Sequence, residues 1–233
     1  MKRLKLTVMA LTAALMSVCL VSCEKESNPG GEDFSNEKKL TKMVMNDEQG
    51  QAQEVFTFKY DSNGKLIEST VSTDYGEGSA SASFVWGEDI ISVDYANVLS
   101  NDHTLSLSNG MVQRSSEGAT FTYNDSKRIT KWGTATANWD GDKVTSISDG
   151  MDRYTFTYGE TCKKGYFPMI SYFMGYMSPS EMMLFMAHPE IAGMRTKQLP
   201  TNVSGLSFSY EYDAEGYISK MRFNTGVAIL TWK

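Results

Sequence analysis

Short runs of alternating apolar and polar residues recur along the chain, and each run ends in an aromatic residue that precedes a polar turn. Alternation places Phe56, Phe58 and Tyr60 on one face of a strand, and residues 61–64 (Asp-Ser-Asn-Gly) follow as turn residues. Asp, Asn and Gly favour the backbone conformations of tight turns, and aromatic and β-branched residues favour the flanking strands. The pattern therefore predicts β-hairpins.

Five such units predict the fold class. They span residues 56–67, 84–93, 121–132, 137–147 and 208–221. Their spacing is uneven, which is typical of a meander and not of a solenoid with a fixed period. The sequence thus predicts a mainly β protein: a single antiparallel meander of hairpins that forms a strongly curved sheet or partial barrel.

Apolar pairs three positions apart follow four of the turns: Ile90 with Val93, Ile129 with Trp132, Val144 with Ile147, and Ile218 with Met221. A regular strand would place the members of each pair on opposite faces. Either both faces are partly covered there, or a β-bulge resets the alternation. Bulges increase strand twist, so we favour strong curvature.

A short Met-rich helical insert is predicted at about 166–193, where the alternation stops. Residues 178–181 (Ser-Pro-Ser-Glu) form a capping box with proline at the first helical position, and a helix should follow over 182–187. The residue before Pro189 ends it, and a second turn should close at Gly193. The insert is either a plug of the sheet or a mobile lid over an apolar cavity, in which case Met182, Met183 and Met186 contact the ligand.

The start of the chain carries a targeting signal. A basic segment precedes the uncharged stretch 6–20, which is too short to span a membrane and is typical of a secretory signal. Leu20-Val21-Ser22-Cys23 then resembles a lipobox, in which the cysteine is acylated and the chain is cut before it. The alternative is an ordinary signal peptide that is cut nearby.

Three segments follow from this interpretation: a lipoprotein signal peptide at 1–22, a flexible tether at 23–37 and a single β domain at 38–233. The tether is almost devoid of apolar side chains, so it cannot offset the entropy of ordering, and it should span on the order of 20 Å. Removing the signal leaves Cys162 as the one unmodified cysteine, so no disulfide within the domain is expected.

The net charge of the chain limits the classes of binding partner that we expect. Loss of the signal takes the formal net charge from −6 to −9, which excludes nucleic acid as a favoured partner. We expect membrane contact through the acylated Cys23 only, and placement in the outer membrane of a Gram-negative bacterium, with surface exposure as an option.

Little in the sequence points to catalysis. His188 precedes Pro189 at a helix end and His103 lies in a predicted turn, so both favour structural roles. The Asp61 turn begins like a calcium loop but lacks the later ligands, and the carboxylate pairs Asp140 with Asp142 and Asp213 with Glu215 lie on turns. No cofactor, metal site or catalytic residue is predicted. Trp86, Trp132 and Trp139 are candidate stacking platforms for a glycan, although core packing is the favoured alternative.

The order of these parts resembles a family of lipoproteins from gut Gram-negative bacteria with a porin-like fold and no assigned function. The resemblance rests on units such as 139–147, on the helical insert followed by Leu199-Pro200, and on the closing hairpin 210–218. It implies a curved or barrel-like sheet at the outer membrane and no activity. Residues 60–66 are also weakly similar to the YD-type repeats of bacterial surface proteins.

Three functions remain open from sequence. The leading hypothesis is a lipid-anchored envelope lipoprotein with a non-enzymatic binding or scaffolding role toward a glycan or a protein. The second is a carrier of an apolar small molecule or lipid under the Met-rich lid, and the third is a hydrolase.

Overall fold

The computed structural model describes residues 36–73, 79–96, 102–175 and 177–233. The signal peptide, the proposed acylation site Cys23 and nearly all of the tether lie outside the described residues. The described part of the chain forms one sheet of sixteen strands, in which each paired neighbour is antiparallel.

The first eight strands are β1 (Leu40–Asn46), β2 (Ala52–Tyr60), β3 (Leu66–Thr73), β4 (Ser79–Trp86), β5 (Ile90–Tyr95), β6 (His103–Ser108), β7 (Met111–Ser115) and β8 (Phe121–Tyr123). The other eight are β9 (Ile129–Trp132), β10 (Ala135–Asp140), β11 (Lys143–Ser148), β12 (Arg153–Thr161), β13 (Gln198–Val203), β14 (Leu206–Tyr212), β15 (Ile218–Phe223) and β16 (Gly226–Trp232). Between β12 and β13 lie the helix α1 (Pro179–Ala187) and two 3₁₀ turns, Ser171–Phe173 and Pro189–Ala192.

The sheet curls into a nearly closed barrel. Consecutive strands pair with each other, and β1 also pairs with β16, so the two ends of the domain meet in the wall. Between β7 and β8 the wall is joined by a single isolated bridge from Arg114 to Thr120, which we call the seam. The predicted meander is confirmed, and the partial barrel is closed except at this seam.

Alternation separates an apolar interior from a polar exterior. In β4, Ala80, Ala82 and Phe84 are buried, whereas Ser79 and Ser83 are exposed. In β5 the buried residues are Ile91, Val93 and Tyr95. The same period of two along the other long strands places one continuous hydrophobic core inside the barrel.

Most bulges occur at one end of the barrel, which we call the Leu40 end because β1 starts there. The opposite end, where β6 starts, is the His103 end, and a further bulge lies there at Gln53 of β2. At the Leu40 end, seven of the eight odd-numbered strands carry one unpaired extra residue after their first inward residue. The extra residues are Thr41, Ile67, Gln113, Thr130, Thr145, Thr201 and Ser219.

The bulges explain how apolar residues three positions apart can both face the interior. Ile129 and Trp132 both face inward because the bulge at Thr130 resets the alternation, and the pairs that start at Val144 and Ile218 behave alike. The pair Ile90 and Val93 follows the other alternative. There the strand is regular, so Val93 is buried and Ile90 lies on the outer face with 43% of its surface exposed.

An aromatic donor accompanies each of these seven bulges. The carbonyl of the residue before the extra one accepts a hydrogen bond from a Tyr hydroxyl or Trp indole N–H near the end of the next even-numbered strand. The donors are Tyr60, Trp86, Tyr123, Trp139, Tyr158, Tyr210 and Trp232, over 2.5–2.8 Å. The regular strand β5 lacks a bulge, and Leu107 occupies the corresponding position on β6. In four of the five predicted units, the aromatic residue before the turn therefore has a role: it satisfies a carbonyl that the bulge removes from the ladder. In the unit 208–221 the donor is Tyr210, two positions before the aromatic residue next to the turn.

The insert fills the barrel. From the Leu40 end it crosses to the His103 end, where Phe173 packs against Tyr154 and Phe156 near the start of β12. The helix α1 then returns, and Phe185 meets Phe121 of β8 edge to face. Every residue of α1 from Met183 to Ala187 is buried, so the C-terminal part of the helix lies within the barrel, whereas Pro179 at its start is exposed.

Local signals set the helix ends as predicted. Ser178 accepts a hydrogen bond from the Glu181 N–H and the Glu181 carboxylate accepts one from the Ser178 N–H, so the capping box is confirmed, with Pro179 at the first position. The second turn, Pro189–Ala192, ends at Gly193 in the left-handed conformation, also as predicted.

Candidate functional site

The tryptophans proposed as a glycan platform are spread over the barrel. Trp132 is 2% exposed, at the His103 end of β9, and stacks on Phe121. Trp86 and Trp139 are half-buried at the Leu40 end, and their indole N–H groups are engaged by the carbonyls of Leu66 and Ile129. The structure does not bring the three rings together. A ligand-contact role for them stays a prediction.

The methionines proposed as a lid lie within the core. Met183 and Met186 are fully buried, and Met182 is partly buried against the same core. The Tyr166 hydroxyl donates to the carbonyls of Met186 and Ala187, which ties α1 to the strand-like segment that leads into the barrel. These contacts place the insert as a filling of the barrel, and contact of the methionines with a ligand stays a prediction.

The acidic residues of the predicted turns stabilise the turns in which they lie. The Asp61 carboxylate accepts N–H groups from Asn63 and Lys65, and this backbone bonding holds its pKa below the ordinary value. Asp213 repeats the arrangement with Glu215 and Tyr217. The hairpin-turn interpretation of the Asp61 segment is thus confirmed, because its carboxylate is used by its own turn.

Cys162 is poorly suited to be a nucleophile. The thiol is buried and faces the Gly165 carbonyl at 3.5 Å. Burial raises the pKa of Cys162 to about 11, so the thiol stays protonated at neutral pH, and the thiolate is the reactive form.

A cluster of ionisable residues lies at the His103 end, where the insert meets the wall. His103 begins β6, Glu117 lies on the turn between β7 and β8, and Glu181 is in the first turn of α1. One ligand atom from each lies within 4.8 Å of the others. His103 and Glu181 are buried and Glu117 is exposed, so the cluster runs from the core to the surface.

Glu181 is an unusual residue for an apolar interior. Its side chain is 4% exposed, and its Oε1 lies 3.8 Å from Nε2 of His103, beyond hydrogen-bond distance. Among the described residues, this oxygen has no hydrogen-bond partner, whereas Oε2 accepts the Ser178 N–H. Burial raises the pKa of Glu181, and the His103 ring, the nearby Ser115 hydroxyl and the Ser178 N–H act against that rise.

A second buried network lies at the Leu40 end. His188 Nε2 accepts the Leu66 N–H at 3.1 Å, so Nδ1 is the ring nitrogen that can donate to Oε1 of Glu190, 2.8 Å away. The ring packs edge-on against Tyr60 and Trp86. Arg195 extends the network to Glu37. The interpretation of His188 as a structural residue at a helix end agrees with its place as the C-cap of α1.

An open groove of about 950 Å³ lies on the outer face of β1 and β2 at the Leu40 end. Its wall includes four lysines: Lys39, Lys42, Lys59 and Lys233. The acidic residues in its lining are Glu37 and Asp61. The groove is therefore a basic surface on a chain of net negative charge, and it adjoins the point at which the tether enters the domain.

Sequence reasoning missed the cluster of His103, Glu117 and Glu181. It placed His103 in a turn, whereas this residue starts β6, and it assigned Glu181 to the capping box alone. The signal that could have identified the cluster is a carboxylate in a capping box that faces the core, but its partners are 64 or more positions away in the chain. Only tertiary contacts join them.

Among the described residues, no helix has the length and apolar character that a membrane crossing requires. No protein-family model and no curated protein matches the chain. The lipoprotein family and the YD-type repeats therefore stay predictions.

Two solved structures resemble the chain, both described as porin-like proteins. That from Bacteroides uniformis has 16% sequence identity and a TM-score of 0.56, and the match covers 83% of this chain and 98% of the other. That from Bacteroides vulgatus has 12% identity and a TM-score of 0.28 over 84% of this chain and 99% of the other. At this identity the first likeness shows the fold alone: the chain shares a porin-like antiparallel barrel architecture with the Bacteroides uniformis protein.

Proposed function

We propose that this chain is a lipid-anchored protein of the Gram-negative outer membrane, whose filled barrel is a non-enzymatic binding or scaffolding domain. The observation that carries the proposal is the filled barrel: an apolar interior occupied by the insert and a polar outer wall. Such a barrel has no lumen for transport along the path that α1 occupies, and its outer wall is suited to water.

The outer wall argues against a barrel that spans lipid. Strands of a transmembrane barrel face lipid with a continuous apolar band. Among the described residues, the large exposed hydrophobic side chains on strands are Ile67, Val85, Ile90 and Ile229, and β4 presents serines between its buried residues. This polar outer wall supports a domain that faces water. Its attachment to a membrane would be through Cys23.

The position of the strand ends fits a tether. The wall begins at Leu40 and closes against Trp232 at the same end of the barrel, so a chain anchored at Cys23 holds this end toward the bilayer. One acyl chain gives only marginal membrane binding, whereas several chains on one cysteine give a stable anchor.

The basic groove is the surface on which we expect binding. Lys42 and Lys59 project outward from neighbouring strands, Lys59 in an exposed ion pair with Glu68, and Lys39 and Lys233 lie beside each other where the wall closes. Lysine clusters favour anionic partners, so an anionic glycan fits the groove better than a neutral one. Replacement of both Lys42 and Lys59 by Glu should abolish retention of an anionic polysaccharide in affinity electrophoresis, and the matched pair Lys127→Glu and Lys131→Glu should leave it unchanged.

The alternative of an apolar carrier requires the insert to leave the core. Met183 and Met186 are fully buried, so a ligand would have to displace α1 to reach them. Native mass spectrometry of the purified protein tests this: a stoichiometric lipid-like mass would favour the carrier over the filled barrel.

The anchor is tested by metabolic labelling with a radioactive fatty acid. The wild-type protein should be labelled and fractionate with membranes, and Cys23→Ala should be unlabelled and soluble. Cys19→Ala is the matched control, because it lies in the signal segment and should still be labelled. A Cys23→Ala variant that stayed in the membrane fraction would contradict the proposal.

A further inference from the structure

We propose that His103, Glu117 and Glu181 form a binding site for one divalent transition-metal ion of the Zn²⁺ class at the His103 end of the barrel. The three residues come from β6, from the turn at the seam and from α1. An imidazole nitrogen and two carboxylate oxygens, one per residue, lie within 4.8 Å of one another.

The buried carboxylate supplies an independent reason to place a cation here. Glu181 has a side chain that is 4% exposed, and its Oε1 faces the cluster without a hydrogen-bond partner. A buried carboxylate oxygen is costly unless a donor or a cation compensates it. An ion between Glu181 and His103 would use this oxygen as a ligand.

The donor set selects the class of metal. Calcium takes six to eight oxygen ligands and magnesium prefers an octahedron rich in water and oxygen, whereas one imidazole with two carboxylates suits zinc and its neighbours. Ligand atoms around a tetrahedral zinc ion lie about 3.3 Å apart at bond lengths of about 2.0–2.1 Å. The 3.8 Å between His103 and Glu181 needs only a small contraction, and Glu117 is exposed on a turn that can follow the ion. Water would complete the fourth position.

The proposed site would connect the insert inside the barrel to the seam between β7 and β8. Glu117 lies within the turn that spans the seam, where Arg114 and Thr120 make the single bridge between β7 and β8. Glu181 belongs to the helix inside the barrel. A shared ion would therefore hold α1 against the seam, and binding should raise the thermal stability of the whole domain, because it favours the folded state.

The test uses the full chain, freed of metal with a chelator, and titration calorimetry with zinc chloride. We expect one ion per chain and a thermal unfolding midpoint that rises with zinc. Glu117→Gln should weaken binding at least tenfold without loss of the fold, because Glu117 is exposed. Glu88→Gln is the matched control: it lies on an exposed hairpin turn at the opposite end and should bind like the wild type.

A second measurement identifies the ligands. Cobalt bound in place of zinc should give the visible absorption of a four-coordinate site, and Glu117→Gln should remove it. The proposal is overturned if the chelator-treated protein binds no zinc, if Glu117→Gln binds as tightly as the wild type, if Glu88→Gln is weakened equally, or if calcium raises the unfolding midpoint as much as zinc does.

Discussion

At the scale of single residues, the barrel depends on aromatic side chains with a polar tip. Tyr and Trp combine a large apolar surface with one donor, and seven of them near the strand ends reach the carbonyl of a bulge. Burial raises the pKa of Tyr60, Tyr158 and Tyr210, so these hydroxyls remain protonated donors at neutral pH.

Loss of one such hydroxyl should cost stability without a change of shape. Tyr158→Phe removes the donor that lies 2.7 Å from the Val144 carbonyl, and we expect a loss of about 1–2 kcal/mol in the free energy of unfolding, because a partly buried carbonyl is left without its partner. Urea denaturation measures it. Tyr154→Phe, at a partly buried side chain of the same strand whose hydroxyl makes no hydrogen bond among the described residues, should change stability by less than about 0.5 kcal/mol. Equal effects of the two variants would refute the role of the hydroxyl.

Gly141 and Gly193 share a left-handed backbone conformation but differ in how closely other atoms approach them. Gly141 and Gly193 have positive φ angles of 60° and 63°. A Cβ at Gly141 would meet nothing within 4 Å, whereas at Gly193 it would lie 2.3 Å from the Lys127 carbonyl oxygen. Gly193 thus lets the end of the insert pass against the turn between β8 and β9.

The matched pair of alanine variants should therefore differ. Gly141→Ala should cost about 1 kcal/mol for the left-handed conformation alone. Gly193→Ala should cost a further ~1–3 kcal/mol, because the backbone of the neighbouring turn must shift. Chemical denaturation of both proteins measures the difference, and similar losses would show that the contact at Gly193 relaxes freely.

At the scale of elements, turns and caps follow from local chemistry. Asp61, Asn124 and Asp213 each use a side-chain oxygen to accept two N–H groups of the turn that follows. These bonds are formed within five residues, so an Asp or Asn at the start of the turn predicts them. The capping box of α1 is equally local, and for that reason the prediction was correct.

The buried network of His188, Glu190 and Arg195 after α1 should make the stability of the protein depend on pH in the acid range. Burial acts to raise the pKa of Glu190, but the electrostatic attraction of His188, its hydrogen bond and the charge of Arg195 outweigh it and hold the pKa well below the ordinary 4.5. The folded state therefore binds this proton less readily than the unfolded state. The stabilisation is complete above about pH 4.5 and is lost as the pH falls through the depressed value.

Glu190→Gln should remove this dependence. We expect the variant to be less stable than the wild type at pH 7, and the difference in urea midpoint to shrink progressively as the pH is lowered from 4.5 to 3. Glu88→Gln, on an exposed turn, should track the wild type throughout. A difference between Glu190→Gln and the wild type that is constant with pH would contradict the assignment of the proton to Glu190.

At the scale of the whole molecule, sixteen short strands need a filling. The apolar interior is wider than wall side chains alone would fill, because barrel diameter grows with strand number. The insert occupies it with the residues of α1 and the aromatic segment before it. This accounts for the low polarity of α1 from Met183 to Ala187, where every residue is buried, and for the methionines, which adapt to irregular apolar space.

Truncating a buried side chain of the insert should cost more stability if the insert is a fixed filling of the barrel than if it is a mobile lid. Met183→Ala should cost about 2–5 kcal/mol, because Met183 is fully buried and a cavity would remain. Met151→Ala, at a side chain that is 79% exposed on a turn, should stay within about 0.5 kcal/mol of the wild type. Thermal and urea unfolding distinguish the two. A loss below 1 kcal/mol at Met183 would favour a loosely held lid.

The sequence by itself determined the strands of the five predicted hairpin units and their turns, the capped helix, and the second turn that ends at Gly193. Each of these depends on residues within a few positions of one another, and periodicity and turn chemistry report such contacts directly. The tertiary structure alone decided that β1 closes against β16, that the insert enters the barrel, and that His103 and Glu117 meet Glu181. Those contacts join residues far apart in the chain, and they exist because an apolar interior must be covered and filled, which no local pattern specifies.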